Sequence, residues 1–257
     1  MDGRAGARGI SLRTVLRMGR RARCDTALPE RGGGDVSREN AITVTGRLMR
    51  APVADHETSG GWIWWTEIAT ARLSGVVDML QVMIPERVMD DAEIDLGMLP
   101  RVKIMGEIRR HMLKELRADG QPRWVPAVYA QRIELAAEGE ADKDEVEMWC
   151  EVDKRIGHRE TPLGRLLTEM RVTMRRMYGH WDSVIVITWG GLARRLRGLK
   201  PGARLHVKGR LQSRGYLKEQ ADGTMRAMVT YEVSAYYVEE IKGGKDYWRA
   251  EGVRQEG

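Results

Sequence analysis

From residue 146 onward, apolar and polar positions alternate with the period of a strand. In VEMWCEV, Val146, Met148, Cys150 and Val152 fall on one face, because successive strand side chains point to opposite sides. Leu166, Met170, Val172 and Met174 share one side of the next stretch. Residues 184–189 are apolar apart from Thr188, as in a strand covered on both faces. The period then changes. Leu192, Leu196 and Leu199 recur at helical spacing, which predicts a short helix over 191–198 ended by LKPG. Alternation returns over 203–216 and 225–238, two strands of a hairpin whose tip holds ADG.

The first half follows the same order at an offset of roughly 104 residues. ITVTGRL (42–48) then HETSGG and WIWWTEIATAR matches VEMWCEV, HRETPLG and LLTEMRVTMRR. VDMLQVMI (77–84) matches WDSVIVIT (181–188), PRVKIMGEI (100–108) matches GARLHVKGRL (202–211), and ADG recurs at 118–120 and 221–223. Strand, strand, strand, helix, strand, strand is the order of the OB-fold, a five-stranded barrel often used to bind oligonucleotides. The expected fold is all-β: two tandem OB-fold barrels, each with a short helix between strands 3 and 4. The expected organisation is a basic, unstructured arm over 1–38, a first barrel over 39–137, a linker over 138–145, a second barrel over 146–241 and a tail over 242–257.

Charge adds an asymmetry. The four segments 1–38, 39–145, 146–241 and 242–257 carry net charges of +5, −6, +6 and +1. A basic barrel beside an acidic one suggests a polyanion held mainly by one part of the chain. Only Cys24 and Cys150 are present, so no disulfide framework or Cys-based zinc site is available, and a reducing cytoplasm is expected. The five histidines lack metal-ligand spacing. No apolar run approaches the ~18 residues needed to cross a membrane. No P-loop or Ser/His/Asp arrangement occurs, and the acidic runs DDAEID (90–95) and DKDEVE (142–147) read as a loop and a linker. The expectation is a non-enzyme with no cofactor and no metal.

The stretch WGGLARRLRGLKPGARLHVKGRLQSRGY (189–216) holds eight Lys or Arg and no acid. Its strand puts Arg204, Lys208, Arg210, Arg214 and Tyr216 on the outward face, with small and apolar residues inward. Arg194, Arg195 and Arg197 point away from the leucine stripe of the helix. Trp189 closes the third strand just before it. Cations neutralise phosphates and an exposed ring offers any base a platform worth ~1–3 kcal/mol, so the pattern suits a single strand. The alternative is that Trp189 is core and the cations serve solubility.

At these residues the sequence resembles the bacterial single-stranded DNA-binding protein family, through VIVITWG, LA, LKPG, VKGRLQSRGY and the closing VTYEVSAYYVEEI. The resemblance covers about residues 40–241 and is stronger in the second half. It implies base stacking on Trp189 and Tyr216, Arg214 along the strand, no sequence preference and no catalytic residue. It also implies four OB domains per particle, hence a homodimer of this duplicated chain. Most members of that family carry one OB domain per chain, a first departure; the others lie in the first half and at the end of the chain. Ile84 or Pro85 falls where the second half has Trp189, Glu107 falls where it has Arg210, and the chain ends GVRQEG where the family has an acidic tail that recruits repair and replication enzymes.

The candidate nucleic-acid contacts are therefore Trp189, Tyr216, Arg214, Arg210, Lys208, Arg194 and Lys218, joined by Trp181, Trp62 and Trp64. Trp62 and Trp64 share one face of their strand and Trp65 takes the other, and one of those faces is core. His56 and His158 are placed in exposed loops, and Cys150 in the core. The expected partner is single-stranded DNA, with RNA left open as an alternative, alongside replication or repair proteins in the cytoplasm and nucleoid. The alternative is a primosomal or recombination accessory OB protein acting mainly through protein contacts.

Overall fold

The computed structural model describes residues 40–116, 122–176, 180–219 and 222–242. The arm over 1–38, the first ADG and all but the start of the tail lie outside them. Strands β1 (Asn40–Leu48), β2 (Val53–Thr58), β3 (Gly61–Ala71) and β4 (Val77–Pro85) lead into helix α1 (Glu86–Ala92) and a 3-10 turn at Leu96–Met98. The long strands β5 (Arg101–Leu116) and β6 (Pro122–Leu135) complete the first half. The order then recurs as β7 (Lys143–Glu160), β8 (Leu166–Arg175), β9 (Trp181–Trp189), helix α2 (Gly190–Arg195), a 3-10 turn at Leu196–Gly198, β10 (Arg204–Glu219) and β11 (Met225–Glu240).

Each half closes on itself. In the second, β7 pairs with β8, β8 with β9, β9 in parallel with β11, β11 with β10, and β10 returns to β7. In the first, β1, β3 and β4 pair in turn, β4 runs parallel to β6, and β6 and β5 lead back to β1. A closed circuit of five strands satisfies the strand edges that an open sheet would leave bare. The barrels are also stitched together. β1 pairs antiparallel with β7 from Asn40 opposite Met148 to Thr45 opposite Lys143, so one hydrogen-bonded sheet runs through all eleven strands.

The strand period decides the core. Val146, Met148, Cys150 and Val152 are buried, as are Met170, Val172 and Met174 on β8 and Leu205, Val207 and Leu211 on β10. Burial pushes the Cys150 thiol far above its ordinary pKa, which makes it a packing residue. Gly106 and Gly209 hold matching places where the pairing skips Gln131 and Tyr236. A Cβ at Gly106 would lie 2.1 Å from the Tyr129 carbonyl oxygen, and one at Gly209 2.6 Å from that of Ser234. Glycine permits the close strand approach that bends each barrel.

Several expectations are corrected. Residues 143–145 belong to β7, because their backbone pairs with β1. Asp90 and Asp91 lie in α1, and Asp95 caps the following 3-10 turn by accepting from the Gly97 amide. Leu166 is half-buried as the first residue of β8, and Ile185 is half-buried within β9. His56 and His158 are exposed, but they sit in strands β2 and β7 and not in loops.

Candidate nucleic-acid interface

Strand β9 and helix α2 set the position of Trp189. It is the residue before α2, in extended conformation (φ −124, ψ 152), so its ring leaves the barrel where the chain turns from sheet to helix. The ring is 42% exposed. Trp189, Arg210 and Arg214 line one cavity of about 620 Å³, together with Ile187 of β9, Ser234 of β11 and Arg159 of β7. Arg72 reaches it from the first barrel. The structure thus brings together three residues that the sequence singled out.

The cations of β10 do not stand alone, which corrects their reading as a face of cations only. Alternation along one strand does not show its cross-strand neighbours. Lys208 lies opposite Glu147 on β7 and pairs with it at 3.0 Å. His206 shares that carboxylate at 2.7 Å and stacks on Trp149 at 4.2 Å. Lys208, then His206, hold the Glu147 carboxyl below its ordinary pKa. Arg214 contacts the buried Glu232 at 3.4 Å, while Gln212 donates to the same oxygen at 2.9 Å. Glu160 and Glu232 also line the cavity, so this groove is mixed in sign.

The remaining candidates lie elsewhere. Tyr216 and Lys218 line a second cavity of about 580 Å³ between the barrels. Trp181 is 52% exposed at the start of β9 and borders neither cavity. Arg194 is exposed on α2, apart from both. Trp62 is 39% exposed at the outer end of β3. Trp64, on the same face but inside the barrel, packs against the core, which removes it from the exposed rings. Trp65 faces the other way, donates to Gln81 at 2.7 Å and has the Arg50 guanidinium 4.6 Å over its ring.

At the Trp189 place the first barrel has Pro85, just before α1, and Ile84 is fully buried. Neither residue carries an aromatic ring. Glu107, opposite in type to Arg210, is buried and holds Arg109 at 3.0 Å and Gln131 at 2.6 Å.

Arg110, Arg123 and Trp124 of the β5–β6 hairpin also line the second cavity, facing Arg226. Sequence reasoning passed over all four. One signal was present: each ADG is followed at the same distance by an arginine, Arg123 and Arg226. Among the described residues no three His, Cys, Asp or Glu are grouped to hold a metal ion. No described helix is long and apolar enough to cross a membrane.

Neither a family model nor a curated protein matches the sequence. Solved structures do. The single-stranded DNA binding protein from Thermus aquaticus, in its wild-type form, aligns with a TM-score of 0.60 at 18% identity, over 80% of this chain and 94% of that one. A deletion mutant of the same protein gives 0.60 at 19% identity, over 80% and 95%. The chain is therefore an all-β protein of two tandem OB-fold barrels, similar in fold to the Thermus aquaticus single-stranded DNA binding protein.

Proposed function

We propose that this protein binds single-stranded DNA without sequence preference and protects exposed strands during replication, recombination or repair. One observation carries the reading: Trp189, Arg210 and Arg214 of the second barrel meet in a single open groove. A ring half open to solvent can stack on any base, and flanking guanidiniums can follow the phosphates. The proteins of like fold are named for binding single-stranded DNA. The chain acts as a binding protein, not an enzyme, in the cytoplasm beside the nucleoid. Two chains associate to give four OB barrels, which light scattering at micromolar concentration tests; the mass of a single chain would refute it.

The test of function is tryptophan fluorescence during titration with oligo-dT, repeated over a salt series. The expected result is saturable quenching whose affinity falls linearly with log salt. An absence of binding at low salt overturns the reading. A second reading, an accessory OB protein working through protein contacts, is favoured by the carboxylate partners of Lys208 and Arg214. The same titration separates the two.

A further inference from the structure

We infer that the cleft between the barrels is a second contact segment for the same single strand, built in part by the β5–β6 hairpin of the acidic first barrel; this rests on the function proposed above. The cleft is about 580 Å³ and is walled by β5–β6 on one side and by β8–β9 and β10–β11 on the other. Among the described residues five cations line it, Arg110 and Arg123 from the first barrel and Arg171, Lys218 and Arg226 from the second, and no described carboxylate does. The Trp189 groove, by contrast, includes Glu160 and Glu232. A cavity lined by one sign of charge focuses its field on a polyanion.

The cleft also offers rings. Trp124 is 46% and Tyr216 40% exposed, and the Arg110 guanidinium lies 4.6 Å over the Trp124 ring. A ring backed by a cation on one face presents its other face to an unstacked base. Duplex bases are already stacked on each other, and an acidic peptide would use the charges without the rings. A single strand uses both.

The two walls are fixed against each other. The Arg110 amide donates to the Asp182 carboxylate at 2.8 Å, and the Arg123 guanidinium donates to the Val229 carbonyl. Arg171 is held by Asp153, its Nε donating at 2.7 Å. Little ordering remains to be done when a ligand enters, which favours binding. The cleft and the groove adjoin along the same strands. Ile187 and Glu232 line the groove, while Ile185 and Tyr231 line the cleft. A strand leaving Trp189 along β9 therefore meets Tyr216 and Trp124 next.

The experiment uses the full chain and a length series of oligo-dT, each over a salt series, with Trp124→Ala, Arg226→Ala, Arg226→Lys and Trp189→Ala. Trp189→Ala should weaken binding at every length. Trp124→Ala should leave the shortest oligonucleotides unaffected and weaken the longer ones by about 5- to 150-fold. Arg226→Ala should lower the slope of log K against log salt by ~0.7 on the longer ones only, and Arg226→Lys should restore it. Wild-type affinity and slope for Trp124→Ala and Arg226→Ala at all lengths overturns the inference and leaves the proposed function standing. So does a loss in Arg226→Ala that lysine does not restore, or cleft variants that lose only poly-glutamate binding. Failure of the wild type to bind oligo-dT of any length overturns the proposed function itself, and this inference with it.

Discussion

The backbone amide of Ser213 donates to the Asp78 carboxylate at 2.8 Å, joining residues 135 positions apart. Pairing between β10 and β7 ends at Gly209, so Leu211 and Ser213 lie beyond it. Carboxylates replace the missing strand there. Asp144 accepts from the Leu211 amide at 3.1 Å and Asp78 from that of Ser213. Arg72 holds Asp78 from the other side through Nε and Nη2, each at 2.6 Å. The end of one barrel's sheet edge thus becomes the junction between barrels.

Asp78 is almost fully buried, and its partner Arg72 is largely covered. Asp78→Ala removes one half of a buried pair and strands the other. Its expected cost is ~3–5 kcal/mol of unfolding free energy, read from urea denaturation. A change within experimental error would show that the junction contributes nothing to stability.

Asp144 titrates unusually. Burial, and after it the nearby Asp78, raise its pKa to about 8, against the opposing pull of the Leu211 amide and of Arg210 and Arg72. Its folded pKa lies above its ordinary value of 3.8, so the folded state binds the extra proton between those two values. Stability from this group is full below the ordinary value and falls as pH rises towards about 8. Asp144→Asn should flatten that part of the pH–stability curve and raise the melting temperature at pH 8 relative to the wild type. Thermal melts across the window check it; parallel curves for the two proteins would refute it.

Exposure of Trp189 separates affinity from stability. Trp189→Ala should weaken oligo-dT binding by ~1–3 kcal/mol, while unfolding free energy changes by no more than ~0.5 kcal/mol, as for a surface residue. A salt series and a melting curve on one variant suffice. Early melting with normal affinity would make the ring structural.

Arg214→Ala acts through charge. It should reduce the slope of log K against log salt by ~0.7. Glu232 keeps its hydrogen bond from Gln212, so folding survives. An unchanged slope would show that Arg214 serves Glu232 alone.

Gly209→Ala and Gly106→Ala test the shared bend of the barrels. Each adds a Cβ against a backbone carbonyl, and each should cost ~1–3 kcal/mol by overpacking. Equal melting temperatures for wild type and variants would mean that the strands shift without penalty.

The alternation over 146–152 and 203–211 was legible because burial follows a period of two that every residue in the strand obeys. The repeat was legible because both halves keep the same order of patterns, down to the helix that begins after Trp189 and Pro85. Trp64 was not resolvable from Trp62, since the two share a face and only the end of the barrel distinguishes core from solvent. Lys208 and Arg214 read as unpaired because Glu147 and Glu232 stand on other strands.

The sequence by itself determined which faces of β7 and β10 are buried and the order of strands and helix that makes each of the two OB-fold barrels. Each of these depends on near neighbours in the chain. Only the tertiary structure decided that β1 pairs with β7, that Asp78 and Asp144 close the edge of β10, and that Arg110 and Trp124 face Tyr216 and Arg226 across a cleft. Strands pair through backbone groups common to nearly all residues, so a local pattern carries no record of which distant strand will lie beside it.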